Sequence, residues 1–165
     1  MVAANGNADA YISIAGAGRP IDEVLLEQIG KQAPFLKEEV EKNLATLKNG
    51  NTFELKNQML ASLFRASVQP YMISWIKYHP QNEIKKLQIP SLLINGNKDI
   101  QVSVQDAQLL QRAKPDAQLQ IIPNMNHIFK AIKGDDTENK ASYTNPELPI
   151  CTELTSIITT FIRSL

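Results

Sequence analysis

The stretch from Ile89 to His127 constrains the fold of this chain more than any other. Leu92-Leu93-Ile94 is an apolar run too short for a helix, bounded by Pro90 on one side and Asn95-Gly96 on the other. It reads as a buried strand ending in a turn, with Asp99 just beyond. Ala107, Leu110 and Ala113 then carry a helix that Lys114-Pro115-Asp116 stops. Leu119, Ile121 and Ile122 form a second strand, and the turn Pro123-Asn124-Met125-Asn126 delivers His127. Strand, acid, helix, strand, histidine is a βαβ unit, which puts both polar groups on the same edge of a parallel sheet. Open α/β sheets form their sites at that edge, outside the carboxyl ends of the strands. An acid there can orient an imidazole, fix its tautomer and stabilise its charged form.

Pro90-Ser91-Leu92-Leu93-Ile94-Asn95-Gly96-Asn97-Lys98-Asp99, then Val102, and later Met125-Asn126-His127 together resemble the α/β-hydrolase family. The resemblance spans most of the chain, from Ala10 to the last helix. It implies an α/β fold class: a partial α/β-hydrolase fold of about three parallel strands flanked by helices, with a helical lid insertion. It implies Asp99 as the triad acid and His127 as the general base, in the order Ser, Asp/Glu, His that the family keeps. The first member is absent, because no G-x-S-x-G occurs in the 165 residues. Residues 1–16 match the tail of the helix after the nucleophile elbow and the strand that follows it. By that alignment the serine and both oxyanion donors lie upstream of Met1, and the chain is expected to be a C-terminal portion, inactive alone. The implied substrate of the complete enzyme is a small-molecule carboxylic ester or related acyl compound. No cofactor and no metal are implied.

The remaining elements follow from pattern. Asn5-Gly6 is a plausible helix stop, and Ala10 to Gly16 reads as a strand. Gly16-x-Gly18 lacks the third glycine or Lys-Ser/Thr of a phosphate loop and reads as a tight turn at the site rim. From Arg19 to Lys86 the pattern is helical. Ile21, Val24, Leu25 and Ile29 recur at helical spacing after Pro20, Leu36, Val40, Leu44 and Leu47 form a second stripe, and two further segments start at Met59 and Tyr71. A block this long exceeds a simple crossover, so residues 1–18 and 87–165 are assigned to the hydrolase core and 19–86 to the cap. Met59, Phe64, Met72 and Trp75 are expected to be core of that cap rather than a pocket for an acyl or aromatic group. His79, in Tyr78-His79-Pro80, is expected at a helix C-terminus, where a cation is favoured.

Ser103-Val104-Gln105-Asp106 is expected to act as a capping box, its serine and acid satisfying backbone amides. That gives Asp106 a structural task and leaves Asp99 as the functional acid. Residues 130–147 are polar and read as a surface loop, in which Asp135, Asp136 and Glu138 lack the spacing of a calcium loop. Leu154, Ile157, Ile158, Phe161, Ile162 and Leu165 make the clearest helical stripe in the chain.

Composition narrows the partners. Seventeen basic and seventeen acidic residues give no net charge, hence no reason to expect nucleic acid or an anionic membrane. No apolar run reaches the length of a transmembrane helix. The single cysteine, Cys151, cannot form an internal disulfide and does not indicate a compartment. A non-enzymatic remnant or interaction module on a hydrolase scaffold is the alternative to a hydrolase portion. On either reading the strand around Tyr11 to Ile14 is expected at a sheet edge, a template for pairing, so a homo-oligomer is expected.

Overall fold

The computed structural model of the chain describes Gly6 and residues 8–165; the helix stop expected at Asn5-Gly6 lies largely outside the described residues. The chain divides into two compact units, Met1–Gly18 with Pro80–Leu165, and Arg19–His79.

The first unit is built on three parallel strands, β1 (Tyr11–Ile14), β2 (Ser91–Gly96) and β3 (Gln118–Ile122), in the order β1-β2-β3. All six residues of β2 are buried, as a central strand covered on both faces requires. β3 alternates instead: Gln118 and Gln120 are exposed, Leu119 and Ile121 half-buried, the two-residue period of a strand with one covered face. On one face Leu92, Ile94, Ile122 and Met125 pack with Leu154 and Phe161 of the last helix. On the other, Leu93 packs with Leu110, Ala117, Ile84 and Leu87. Fully burying each such aliphatic side chain contributes about 1.5–3 kcal/mol, so these two clusters hold the sheet between its helices.

The helices of this unit are α5 (Pro80–Ile84), α6 (Val104–Ala113), α7 (Asp136–Ser142) and α8 (Thr152–Arg163). The segment 130–147 is therefore not a plain surface loop. It contains α7, whose buried residues are Asn139 and Ser142, and whose N-cap Asp135 accepts the amides of Thr137 and Glu138. A helix that buries only polar side chains leaves no apolar periodicity to read. The capping box also takes a different form. Ser103 is the N-cap of α6, but its hydroxyl donates to Asp106 Oδ2 (2.7 Å) and accepts no backbone amide. Asp106 Oδ1 accepts the Gly18 amide (3.1 Å), tying the turn after β1 to α6. A Cβ on Gly18 would stand 2.1 Å from the Asp106 carbonyl oxygen, so the second glycine of Gly16-x-Gly18 permits this approach. Along α8, Leu154 and Phe161 are buried and Ile157 and Ile158 half-buried, while Ile162, and Leu165 just past the helix end, stay exposed, so the stripe is wider than the surface it covers.

The second unit is helical: α1 (Ile21–Gln32), α2 (Lys37–Lys48), α3 (Ala61–Phe64) and α4 (Gln69–Ile76). Ile21, Val24, Leu36, Val40, Leu44, Leu47, Leu60, Phe64, Met72 and Ile76 are buried. Of the four residues expected as cap core, Phe64 and Met72 are buried, whereas Met59 and Trp75 are 66% and 41% exposed. Trp75 leans on Tyr71 with ring centroids 5.3 Å apart. His79 does not end a helix. It follows the Lys77 C-cap of α4 by two residues and stands immediately before Pro80, the start of α5.

Candidate active site

The acid comes first in the chain. β2 runs through Asn95 and Gly96, two residues further than the sequence suggests, because Gly96 still pairs with Ile122. The chain turns at Asn97-Lys98, and the amide of Asp99 returns to the Gly96 carbonyl (3.3 Å). Asp99 then folds its carboxylate back over the following backbone: Oδ1 accepts the amides of Gln101 and Val102, both at 2.8 Å. This is the local turn that aspartate forms readily, since its short side chain reaches amides two or three residues on. Val102 is buried, and its carbonyl accepts from Asn95 Nδ2 (3.2 Å), which fixes the far end of the loop.

The histidine loop is laced to the acid loop before His127 is reached. Asn97 donates its amide to the Ile122 carbonyl (3.2 Å), Lys98 to the Met125 carbonyl (3.1 Å), and the Asn124 amide donates to Asn97 Oδ1 (2.7 Å). Asn124 takes a left-handed conformation, φ 60°, which asparagine tolerates better than most residues. Gly96 has to be glycine here: a Cβ would stand 1.9 Å from the Met125 carbonyl oxygen. The Phe129 amide bonds the Asn126 carbonyl (3.0 Å), so His127 and Ile128 are the central residues of a tight turn.

That turn brings His127 Nδ1 to 2.9 Å from Asp99 Oδ2. The Asp99 side chain is inaccessible to solvent, and that of His127 is 28% exposed. An ionised carboxylate only accepts, so in a neutral ring beside it Nδ1 carries the shared proton and Nε2 keeps a free lone pair. Such an imidazole can take a proton from a hydroxyl set before Nε2, and the buried carboxylate then stabilises the imidazolium. Tyr143, just past α7, shares this neighbourhood. Burial pushes its hydroxyl above the ordinary tyrosine range, against a hydrogen bond from Gln101, and the Asp99 charge adds to the rise. Among the serines, Ser91 donates to the Ile89 carbonyl and Ser103 to Asp106. Among the described residues, no group of three or more His, Cys, Asp or Glu is placed to hold a metal ion.

Sequence reasoning passed over the residues around the pair. Asn126 was legible as a turn residue and as part of Met125-Asn126-His127, not as a network member, yet it is wholly buried and bonded to Asn139 and Ser142 of α7. Gln101 and Tyr143 carried no motif.

No family model matches the chain. The esterase EstD of Thermotoga maritima is 25% identical to it over 149 residues, which are 82% of this chain and 33% of EstD. Among solved structures, the candidate non-heme bromoperoxidase BpoC of Mycobacterium tuberculosis H37Rv superposes with a TM-score of 0.52 at 13% identity. It matches 99% of this chain and 61% of BpoC. Rv0554 of Mycobacterium tuberculosis gives a TM-score of 0.50 at 13% identity, over 100% of this chain and 60% of its own. This is a partial α/β-hydrolase fold. The chain spans about a third of the length of EstD and about three-fifths of the two solved structures. Within the hydrolase fold, Asp99 and His127 stand beyond the carboxyl ends of the neighbouring strands β2 and β3.

Proposed function

We propose that this chain carries the acid and base of a serine hydrolase acting on carboxylic esters or related acyl compounds. Asp99 is the orienting acid and His127 the general base. The observation that carries the reading is the 2.9 Å bond from His127 Nδ1 to a carboxylate whose other oxygen is held by two backbone amides. A serine hydroxyl is a weak nucleophile until a base takes its proton, and the base works only when held in one tautomer. The helical unit Arg19–His79 is read as the lid, and the exposed Met59 and Trp75 supply it with apolar surface. The chain has no G-x-S-x-G, so the nucleophile and the oxyanion donors come from outside these residues, and the chain alone does not turn over esters. The outer edge of β1, unpaired among the described residues, supports association with a second copy.

Activated short-chain esters and a fluorophosphonate probe test the reading together. The purified chain should hydrolyse the esters no faster than buffer and take up no probe. A longer polypeptide, extended through the coding DNA upstream of Met1 to an in-frame G-x-S-x-G, should label on that serine, and His127→Ala should abolish the labelling. Robust turnover by the chain alone, lost in His127→Ala, would refute the external nucleophile. Labelling indifferent to His127 would remove it from the mechanism.

A further inference from the structure

We infer that Asn139 and Ser142 of α7 are positioning residues that hold the Asp99–His127 pair in its geometry, through the peptide units that precede each partner. The inference rests on the reading of that pair as acid and base. One amide side chain spans both loops. Asn139 Nδ2 donates to the carbonyl of Lys98, the residue before Asp99, at 2.7 Å. Asn139 Oδ1 accepts from Nδ2 of Asn126, the residue before His127, at 3.0 Å. The second Asn126 Nδ2 proton goes to Ser142 Oγ (2.8 Å), whose own proton goes to the Asn139 carbonyl (2.6 Å). Asn126 Oδ1 accepts the Lys130 amide (2.9 Å). Asn126 and Asn139 are wholly buried and Ser142 is 3% exposed.

Buried amides are costly unless fully partnered, so a cluster like this tolerates few arrangements. An apolar filling of the same volume would hold a helix to a sheet at least as well. What it could not do is set the direction of two peptide units. The lacing bonds fix Asn97, Lys98, Asn124 and Met125, and the network continues from there to the two bonds that aim Asp99 and His127. A helix of seven residues does not persist by itself, so α7 is ordered by its Asp135 cap and by these contacts. Loss of the network frees the turn at Asn126 while the strands remain.

The test reads the histidine ring directly. The chain has two histidines, and His79→Gln assigns them in a ring-15N spectrum taken at mildly alkaline pH. The parent should hold the His127 proton on Nδ1, and Asp99→Ala should redistribute it between the two nitrogens. Asn139→Leu should redistribute it as fully as Asp99→Ala, Ser142→Ala in part, and Ser142→Thr not at all, in proteins whose backbone amide spectra stay dispersed. Adding Asp99→Ala to Asn139→Leu should change nothing further. Full Nδ1 occupancy in folded Asn139→Leu and Ser142→Ala would overturn the positioning role while leaving the pair intact. If Asn139→Leu does not fold, Ser142→Ala against Ser142→Thr decides. A parent with no Nδ1 preference would overturn the pair itself, and this inference with it.

Discussion

The two sides of the sheet close in different ways. At the β2–β3 end, Asp99, Asn126 and Asn139 are buried with partners for their side chains, every bond coming from residues between Lys98 and Ser142. At the β1 flank, Ile12 and Ile14 are half-buried, and an open pocket lies beside Tyr11, Ser13 and Gly16. Hydrogen bonds are short and directional, so a few loops near one another in the chain can complete them. Apolar burial scales with area, and a four-residue strand with one neighbour among the described residues cannot supply enough of it. The site's geometry is therefore a local property, while the flank's stability depends on what covers it.

Gly96→Val should break the first side outright. Its side chain would be driven into the Met125 carbonyl, and we expect a loss of about 3 kcal/mol in denaturant unfolding. Unchanged stability would mean that the two loops are not laced as described. The β1 flank should respond in association rather than in folding. Light scattering at micromolar concentration should show an oligomer, and Ile12→Lys should dissociate it with little change in circular dichroism. A monomeric parent would show that the flank is content in water. The smallest effect belongs to α7. The Glu138 and Thr137 amides hold the Asp135 carboxyl below the usual carboxylate range. With the folded value depressed, the cap's contribution is complete above the unfolded pKa of about 3.9 and lost as pH falls through the lower folded value. Hydrogen exchange on acidification should therefore release α7 before the sheet, and Asp135→Ala should remove that step. Amides of α7 that hold until global unfolding would contradict it.

The juxtaposition of Asp99 and His127 was legible in sequence because its logic is topological. Two strands joined by one helix lie parallel, so residues just past their ends share an edge, and Asp99 meets His127 without any long-range information. β2 was legible as a short bounded apolar run and α8 by the period of its apolar residues. The supporting network was not. Asn126, Asn139 and Ser142 are polar, and composition assigns polar residues to water unless something reveals their partners. Asp106 keeps the structural task read from sequence, but not its partner amide: Oδ1 accepts the amide of Gly18, 88 residues away, while Oδ2 accepts from Ser103. Met59 and Trp75 look apolar enough for a core, and only the packed helices show that they face outward.

The loop that holds Asp99 also distinguishes the two ends of that side chain. Two amides demand an acceptor at Oδ1, so the loop dictates which atom of any isosteric amide faces the imidazole. Asparagine at this position would have to place its carbonyl oxygen against Gln101 and Val102 and present its NH2 to His127 Nδ1. The ring would then accept where it now donates, its proton would reside on Nε2, and the nitrogen facing outward would have no lone pair to offer. A substitution that changes neither shape nor volume would thus reverse the polarity of the hydrogen bond between position 99 and His127.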